Sequence, residues 1–380
     1  DPVQELASLQ PDVVLNLSAS PYQFNKPHVR VDVCAQAAKE MGCPVILCCQ
    51  VGGNDELIFD GYSVYVDKVG ELRQLGRGFE EEEMLIDLSS AHSFCPLIYD
   101  PLEDLYRALV LGVKDYFHKS GFKKGCLGLS GGIDSALVAC IAADALGKEN
   151  VLGLAMPSRY SSEGSVSDAH AVARHLEIRC LDIPIEGPFS SFLSLMEPTF
   201  HGMKSDVTEE NMQARIRGLI LMAVSNKFGH VVLSTGNKSE LAMGYCTLYG
   251  DMCGGLSVIA DVTKTQVYAL SRWINREKEI IPLSTIEKPP SAELRPNQKD
   301  SDSLPDYAIL DKILHAYIED CMSIDTIAKT HHLDISLVED VVRKVHIAEY
   351  KRRQAAPGLR VSKKAFRVGR KYPIVQHWIH

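Results

Sequence analysis

The residues best suited to chemistry lie in the segment LSGGIDSAL (129–137). A short apolar run, GCLGL (125–129), leads into it, and an Ala-rich helical stretch from Asp134 to Leu146 follows. In such a strand–turn–helix step, Gly131 and Gly132 let the backbone fold so that its N–H groups point inward. Ser130 and Ser135 add hydroxyl donors, and the helix start adds partial positive charge. Together these groups make a nest for a phosphate or pyrophosphate. No lysine stands where the Walker arrangement needs one, so the charge must be balanced otherwise. Asp134 would repel a phosphate unless a cation stood between them, which points to Mg2+ bridging carboxylate and phosphate oxygens. The plainer alternative is a Ser/Gly turn with Asp134 as a helix cap.

The pattern around this segment supplies a scaffold. From about Pro101 helical and strand patterns alternate: helix 102–119, strand 125–129, helix 134–146, strand 151–156, helix 163–176, strand 178–185, helix 211–227 and strand 230–235. This rhythm predicts an α/β fold, a doubly wound and mostly parallel sheet with right-handed crossovers. Residues 288–305 are rich in Pro, Ser and Asp and predict a mobile loop. Two or three helices and a basic tail follow, Lys351–Lys371 holding nine Lys and Arg. Before residue 95 the pattern differs. VVLNLSA (13–19) predicts a buried strand, 28–41 a helix stopped by Gly42 and Pro44, and PVILCCQVGG a second buried strand. FDGYSVYVDKVGEL reads as a hairpin with turn signals at DG and VG, and Glu80–Glu83 as a solvated loop.

Composition excludes several classes. The chain has 380 residues, 46% hydrophobic and 23% charged, which suits two or three folded domains rather than a disordered polymer. Its net charge of −9 argues against a general nucleic-acid surface. No run approaches eighteen apolar residues, so no membrane span is expected, and no signal-peptide pattern opens the chain. Eleven cysteines, without zinc-finger spacing, suggest reduced thiols in a cytoplasmic protein.

SGGxDS resembles the signature of the PP-loop ATP pyrophosphatases, whose sheets are adenine nucleotide alpha-hydrolase-like. Further segments are similar to NAD synthetase: ENMQARIRG (210–218), STGNKSELAMGYCTLYGDMCGG (234–255), ADVTKTQVYALSRW (260–273), KPPSAELRPNQKDSDSLPDY (288–307) and the ending EYKRRQAAPGL…AFRVGRKYPI. LNLSASPYQFNK (15–26) and VGGNDELIFDGYSVYVDKVGEL (51–72) resemble the C-terminal part of the nitrilase-like α/β sandwich that serves as glutaminase in glutamine-dependent members. The expected organisation is therefore 1–95 as that partial glutaminase, 96–300 as the synthetase domain, and 301–380 as its helical completion. In the family the glutaminase Glu, Lys and nucleophilic Cys precede the LNLSASP strand, so this sequence is expected to use ammonia without releasing it from glutamine. Cys34, Cys43, Cys48 and Cys49 stand in other elements, where small apolar packing is their expected role.

The resemblance implies an ATP- and Mg2+-dependent ligase that adenylates the nicotinate carboxylate of deamido-NAD and amidates it with ammonia. It places Gly128, Leu129, Ser130, Gly131, Gly132, Ile133, Asp134, Ser135, Met156, Thr235 and Lys264 on ATP, with Asp134 and Glu240 on the metal. Asn211, Arg215, Glu240, Tyr245, Cys246, Thr247, Leu248 and Lys351 would face deamido-NAD. Asp251 would stand beside the amide-forming centre as a proton acceptor, in a catalytic set with Asp134, Glu240 and Lys264. Ser20 and Lys26 would be remnants of glutamine binding. Residues 288–307 would order as a lid that excludes water. Solvated helix edges at Asn211, Arg215 and Glu240, a surface lysine at 264 and a core methionine at 156 are the plainer readings. A homo-oligomer is expected, with neither nucleic acid nor membrane as partner. The alternatives are another adenylating PP-loop enzyme, GMP synthetase-like or tRNA-modifying, and a silent nucleotide-binding subunit.

Overall fold

A computed structural model describes residues 1–89 and 93–376, among which the chain forms eleven strands and fourteen α-helices. Two compact units divide it, Asp1–Tyr116 and Phe117–His380.

The first unit runs α1 (Pro2–Ser8), β1 (Val14–Ser18), α2 (Lys26–Met41), β2 (Val45–Cys49), β3 (Val51–Asn54), β4 (Leu57–Asp60), β5 (Val64–Val66) and β6 (Leu72–Leu75), then enters α3 (Pro101–Lys119). The 28–41 helix and its stop are borne out: Gly42, at φ +69°, turns left-handed and its amide closes on the Ala38 carbonyl at 2.9 Å. One sheet has the order β1-β2-β5-β6, with β1 parallel to β2 and the other pairs antiparallel. Cys34 and Ala38 of α2 pack on Val45, Leu47, Val64 and Val66.

Three expectations change here. β1 is not buried: Leu15 and Leu17 are 67% and 84% exposed, because β1 is an edge strand and its odd-numbered side chains point away from α2. The DG step is not a hairpin turn. β4 pairs with β3 and β5 with β6, so Asp60–Gly61 carries the chain from one sheet to the other. Cys34 and Cys43 are buried as packing groups, whereas Cys48 is exposed, because alternation along β2 turns it to the open face. The Glu80–Glu83 loop is solvated as read, with Glu80 pairing to Arg107 at 2.9 Å.

The second unit contains β7 (Lys124–Gly128), α4 (Ile133–Leu146), β8 (Val151–Ala155), α5 (Glu163–His175), β9 (Arg179–Asp182), α6 (Glu186–Met196), α7 (Val207–Phe228), β10 (His230–Ser234), α8 (Lys238–Met243), β11 (Leu256–Ser257), α9 (Lys264–Ile274) and α10 (Leu283–Glu287). Five parallel strands lie in the order β11-β10-β7-β8-β9. The α/β rhythm from the sequence is thus realised. α4 is apolar almost all round, so Leu137, Val138, Ala139 and Ile141 lose their whole surface. Strand order reverses beside β7: the chain goes first to β8 and β9, then returns to β10 and β11 on the other flank. Loops leaving the carboxyl ends at such a reversal diverge and open a crevice.

α11 (Tyr307–Leu314), α12 (Ile324–His331), α13 (Ile335–Ile347) and α14 (Glu349–Arg352) complete the unit around Leu310, Ile313, Val338, Val341 and Val345. The loop expected to be mobile, 288–305, is instead packed on α5 and α7. Glu293 accepts from the Ser162 and Ser165 hydroxyls at 2.9 and 2.7 Å, the Gln213 amide donates to the Leu294 carbonyl at 2.9 Å, and the Gln298 amide to Glu210 at 3.0 Å. Side-chain anchors of this kind leave no trace in local periodicity.

Candidate active site

A cavity of about 320 Å3 opens at the carboxyl ends of β7, β8 and β10. Its floor is the turn between β7 and α4. Gly131 holds φ +75°, where a side chain would collide with the Ser165 backbone. The Ser135 hydroxyl donates to the Gly132 carbonyl at 2.9 Å and meets the Ser130 hydroxyl at 3.1 Å, which fixes the turn from inside. Gly132 is the N-cap of α4 and offers no side chain, so the first amides of that helix stay available to an anion. Gly128, Leu129, Ser130, Gly132, Ile133, Asp134 and Ser135 all line the cavity, while Gly131 sits behind it against Ser165.

Asp134, Glu240 and Lys264 meet at one end. The Lys264 ammonium lies 2.5 Å from Asp134 Oδ2 and 3.3 Å from Glu240 Oε1. Glu240 and Lys264 are each placed by a helix cap. Asn237 caps α8 and forms a reciprocal box with Glu240, which turns that carboxylate inward rather than to solvent. Thr263 caps α9 in the same way with Gln266. The Lys264 amide then donates to Ser239 Oγ at 2.9 Å, and the Lys238 amide to the Val262 carbonyl at 2.9 Å, so the two caps are knitted together. Lys264 is only 2% exposed and is no surface lysine. Burial and the Asp134 carboxylate push the Glu240 carboxyl up, and Lys264 opposes them. Burial pulls the Lys264 ammonium down, but Asp134 and Glu240 outweigh it, so the lysine stays charged.

Met156 lines the cavity after β8. Its side chain packs with Ile216 and Leu221, and its carbonyl accepts from Arg217 Nε at 3.0 Å. Thr235, Tyr245, Cys246 and Asp251 also line the cavity. Burial pushes the Cys246 thiol up to about 12, so it stays protonated and packs rather than attacks. Asp251 Oδ1 accepts from the Thr247 amide at 2.7 Å. Packing around its carboxyl pushes it up to about 6, against the pull of that amide and of Lys351.

The structure does not bring every expected residue to the cavity wall. Asn211 Oδ1 accepts from the Thr247 hydroxyl at 2.6 Å, and Arg215 Nε donates to the Leu248 carbonyl at 3.2 Å. Lys351 donates to the Gly244 and Cys246 carbonyls at 2.8 and 2.7 Å. These residues brace the 244–251 turn from behind. In the first unit the Lys26 ammonium reaches Ser20 Oγ at 2.5 Å, so that pair does come together.

Sequence reasoning missed four lining or supporting groups. Asn237 is fully buried and donates to Asp134 Oδ1 at 2.9 Å; its signal was the Asn-x-x-Glu spacing of a capping box. Arg217, Lys288 and Asp300 line the cavity without any local pattern to reveal them.

Two half-buried carboxylates, Asp134 and Glu240, beside a phosphate nest fit Mg2+, which binds through one or two carboxylates plus substrate phosphates. Among the described residues no group of three or more His, Cys, Asp or Glu forms a metal cage, so phosphates would have to complete the shell.

Comparison with known proteins agrees with this geometry. The NAD synthase family profile matches residues 105–355. The chain is 50% identical to the glutamine-dependent NAD(+) synthetase of Synechocystis, across 99% of this chain and 68% of that protein. It is 44% identical to the Thermotoga maritima protein of the same description, across 100% and 73%. The solved glutamine-dependent NAD+ synthetase of Acinetobacter baumannii, in complex with ADP, superposes with a TM-score of 0.74 at 41% identity, across 99% of this chain and 70% of that one. This chain belongs to the NAD synthase family.

Proposed function

We propose that this chain is a carbon–nitrogen ligase of NAD biosynthesis. It uses ATP to adenylate the nicotinate carboxylate of deamido-NAD and transfers ammonia to it, giving NAD, AMP and pyrophosphate. One observation carries the assignment of roles: at the cavity floor the Gly/Ser turn ends in Asp134, whose carboxylate meets Glu240 around the buried Lys264 ammonium.

A carboxylate resists attack by ammonia. Joining it to the α-phosphorus of ATP expels pyrophosphate and turns one carboxyl oxygen into part of an AMP leaving group. The amides at the α4 N-terminus and the hydroxyls of Ser130 and Ser135 hold the phosphates in line. Asp134 and Glu240 would hold Mg2+, whose chemical contribution is to neutralise charge on the phosphate oxygens. Lys264 supplies an ammonium at the same end of the cavity. Met156 borders the adenine side, with Thr235 on the nucleotide. Tyr245 and Cys246 face deamido-NAD, with Asn211, Arg215, Thr247, Leu248 and Lys351 holding the turn that presents them. Asp251 lies where it can take a proton from the attacking nitrogen, and a carboxyl raised to about 6 accepts it above that pH. The segment 288–305 roofs the cavity and keeps water from the acyl-adenylate. Ammonia leaves the cycle as the amide nitrogen of NAD, and its spare protons pass to Asp251 and water.

We read residues 1–95 as the glutaminase-type portion, with Ser20 and Lys26 as remnants of glutamine binding, 96–300 as synthetase and 301–380 as its helical completion. We also read the protein as a homo-oligomer in the cytoplasm. Apolar Phe192 and Leu195 on α6 and Leu219 and Phe228 on α7 are exposed, which suits a contact between copies. All eleven cysteines are free, and among the described residues no helix is long and apolar enough to cross a membrane.

The test is NAD formation from ATP and deamido-NAD, run with ammonium and separately with glutamine. NAD from ammonium supports the ligase, and glutamine then reports on the nitrogen supply. ATP bound without release of pyrophosphate would make the chain a nucleotide-binding subunit instead. Light scattering checks assembly, and a fully active monomer would overturn the oligomer.

A further inference from the structure

Asp300 is a buried anion that the reaction scheme above does not use. It lies on the segment that roofs the cavity, is 4% exposed, and lines the same cavity as Asp134, Glu240 and Lys264. Its backbone is fixed: the Asp300 amide donates to the Pro290 carbonyl at 3.0 Å, and its carbonyl accepts from the Leu304 amide at 2.9 Å. Oδ2 accepts from the Tyr307 hydroxyl at 2.9 Å. Oδ1 is buried facing the Tyr245 hydroxyl, and neither atom makes a hydrogen bond of normal geometry, so the weak contact between them is all that Oδ1 has. A buried carboxylate oxygen in that state costs free energy until a donor or cation reaches it.

The Lys264 ammonium lines the same cavity and acts on this carboxyl. The Tyr307 ring connects the two, its centroid 5.4 Å from the Lys264 ammonium and its hydroxyl on Asp300. Lys264 is now spent on Asp134 and Glu240. Those same two carboxylates are the proposed holders of a divalent cation, and an ammonium cannot share them with one at full strength. Lys264 is anchored at its backbone by Ser239, so only its flexible stem is free to redirect the charge.

We infer that Asp300 is a positioning residue: it is the second anchorage for the Lys264 ammonium, taken up when a divalent cation occupies Asp134 and Glu240. Because Asp300 rides on the 288–305 segment, this exchange ties the docking of that segment to the loading of the site. Nucleotide alone leaves Lys264 on its first pair; nucleotide with Mg2+ moves it toward Asp300 and the phosphates and tightens the roof. The inference rests on the proposed ATP and Mg2+ site.

The test is hydrogen exchange across 288–305 in the full chain, free, with α,β-methylene-ATP, and with that analogue plus Mg2+. Wild type is expected to slow by roughly tenfold only when both are present. Asp300→Asn, which keeps the shape, is expected to match wild type within about twofold when free and to lose most of the Mg2+-dependent slowing. With ammonium as nitrogen donor its kcat should fall by roughly tenfold, while KM for deamido-NAD stays within about twofold. Tyr307→Phe, which removes one hydrogen bond from Asp300, should fall between the two proteins. Asp325→Asn, exposed on α12 and outside that segment, should behave as wild type. Full Mg2+-dependent slowing in Asp300→Asn would overturn the inference. Equal loss of protection in its free and loaded states would also overturn it, by making Asp300 a plain structural tie. Absence of analogue binding by wild type would overturn the function reading itself and the inference with it, whereas normal turnover without any roof slowing would overturn the inference alone.

Discussion

Replacing Gly131 by alanine strikes the phosphate nest at the point where backbone conformation and packing both demand glycine. Gly131 sits at φ +75°, and an added Cβ would stand 2.0 Å from the Ser165 carbonyl oxygen and 2.7 Å from its carbon. The left-handed conformation costs an L-residue roughly 1–2 kcal/mol. Forcing a methyl group into packed backbone adds roughly 1–3 kcal/mol. The obstructing atoms belong to the first turn of α5, which Ser162 caps and Glu293 holds, so they cannot retreat cheaply. The loop therefore moves instead, and its amides leave the phosphates. At about 3 kcal/mol the affinity for an ATP analogue with Mg2+ should fall by roughly 150-fold. If the strain is shared with global folding, the melting temperature should drop by about 2–4 °C per kcal/mol. Titration calorimetry and scanning calorimetry read the two quantities. Gly164→Ala is the control, one residue from Ser165, where the nearest atom is the Ser162 hydroxyl at 3.9 Å. That helical position should gain up to about 1 kcal/mol. Binding by Gly131→Ala within about threefold of wild type, with an unchanged melting point, would refute the reasoning that this turn is rigid and holds phosphate.

Other expectations concern the frame. Lys238→Met should destabilise the second unit by roughly 3–5 kcal/mol in urea unfolding, because buried Asp261 and Glu319, each 2.9 Å from its ammonium, lose their cation; a change under about 1 kcal/mol would contradict it. Asp104 accepts from the Tyr62 hydroxyl at 2.7 Å, and burial pushes its carboxyl up to about 6 from 3.8. The folded chain thus keeps a proton that the unfolded chain has released between those values. Asp104 therefore lowers stability progressively as pH rises from about 4 to 6, by up to about 3 kcal/mol above that window. Unfolding of wild type and Asp104→Asn at pH 4 to 7 should show the difference diverging over that range, and parallel curves would count against it. Cys321 is exposed, and its thiol is held below the ordinary range by Lys364, whose ammonium lies 2.6 Å away, and by Arg370. Burial pushes the Cys126 thiol up to about 12. Iodoacetamide near neutral pH should label Cys321 at least about tenfold faster than Cys126, read by peptide mass; equal rates would refute the charge argument.

Much of this molecule was legible along the chain, wherever a few neighbouring residues decide the outcome. Helical and strand periodicity located the elements from α3 to β10 except α6, whereas β11, α10 and the bounds of α11–α14 were not legible. Gly42 marked the end of α2, and the glycines and serines of 129–137 marked the phosphate turn, since φ freedom and donor placement are local properties. The spacing Asn237-x-x-Glu240 carried the signal of a cap as well, though it was not read. The exposure of Leu15 and Leu17 was not legible, because it depends on which strands flank β1 and on the face α2 covers. The split of the DG step between two sheets was hidden for the same reason. Nor could local pattern show that 288–305 docks through Glu293, Gln298 and Leu294, whose partners lie on helices far away in sequence. Sequence by itself determined the fold class and the Gly/Ser turn between β7 and α4. Only the tertiary structure decided that Lys264 sits between Asp134 and Glu240, with Asp300 closing from the roof. Those groups come from the ends of three strands and a distant loop, and their charges act on one another only after the sheet has brought them within a few ångströms and removed the water between them.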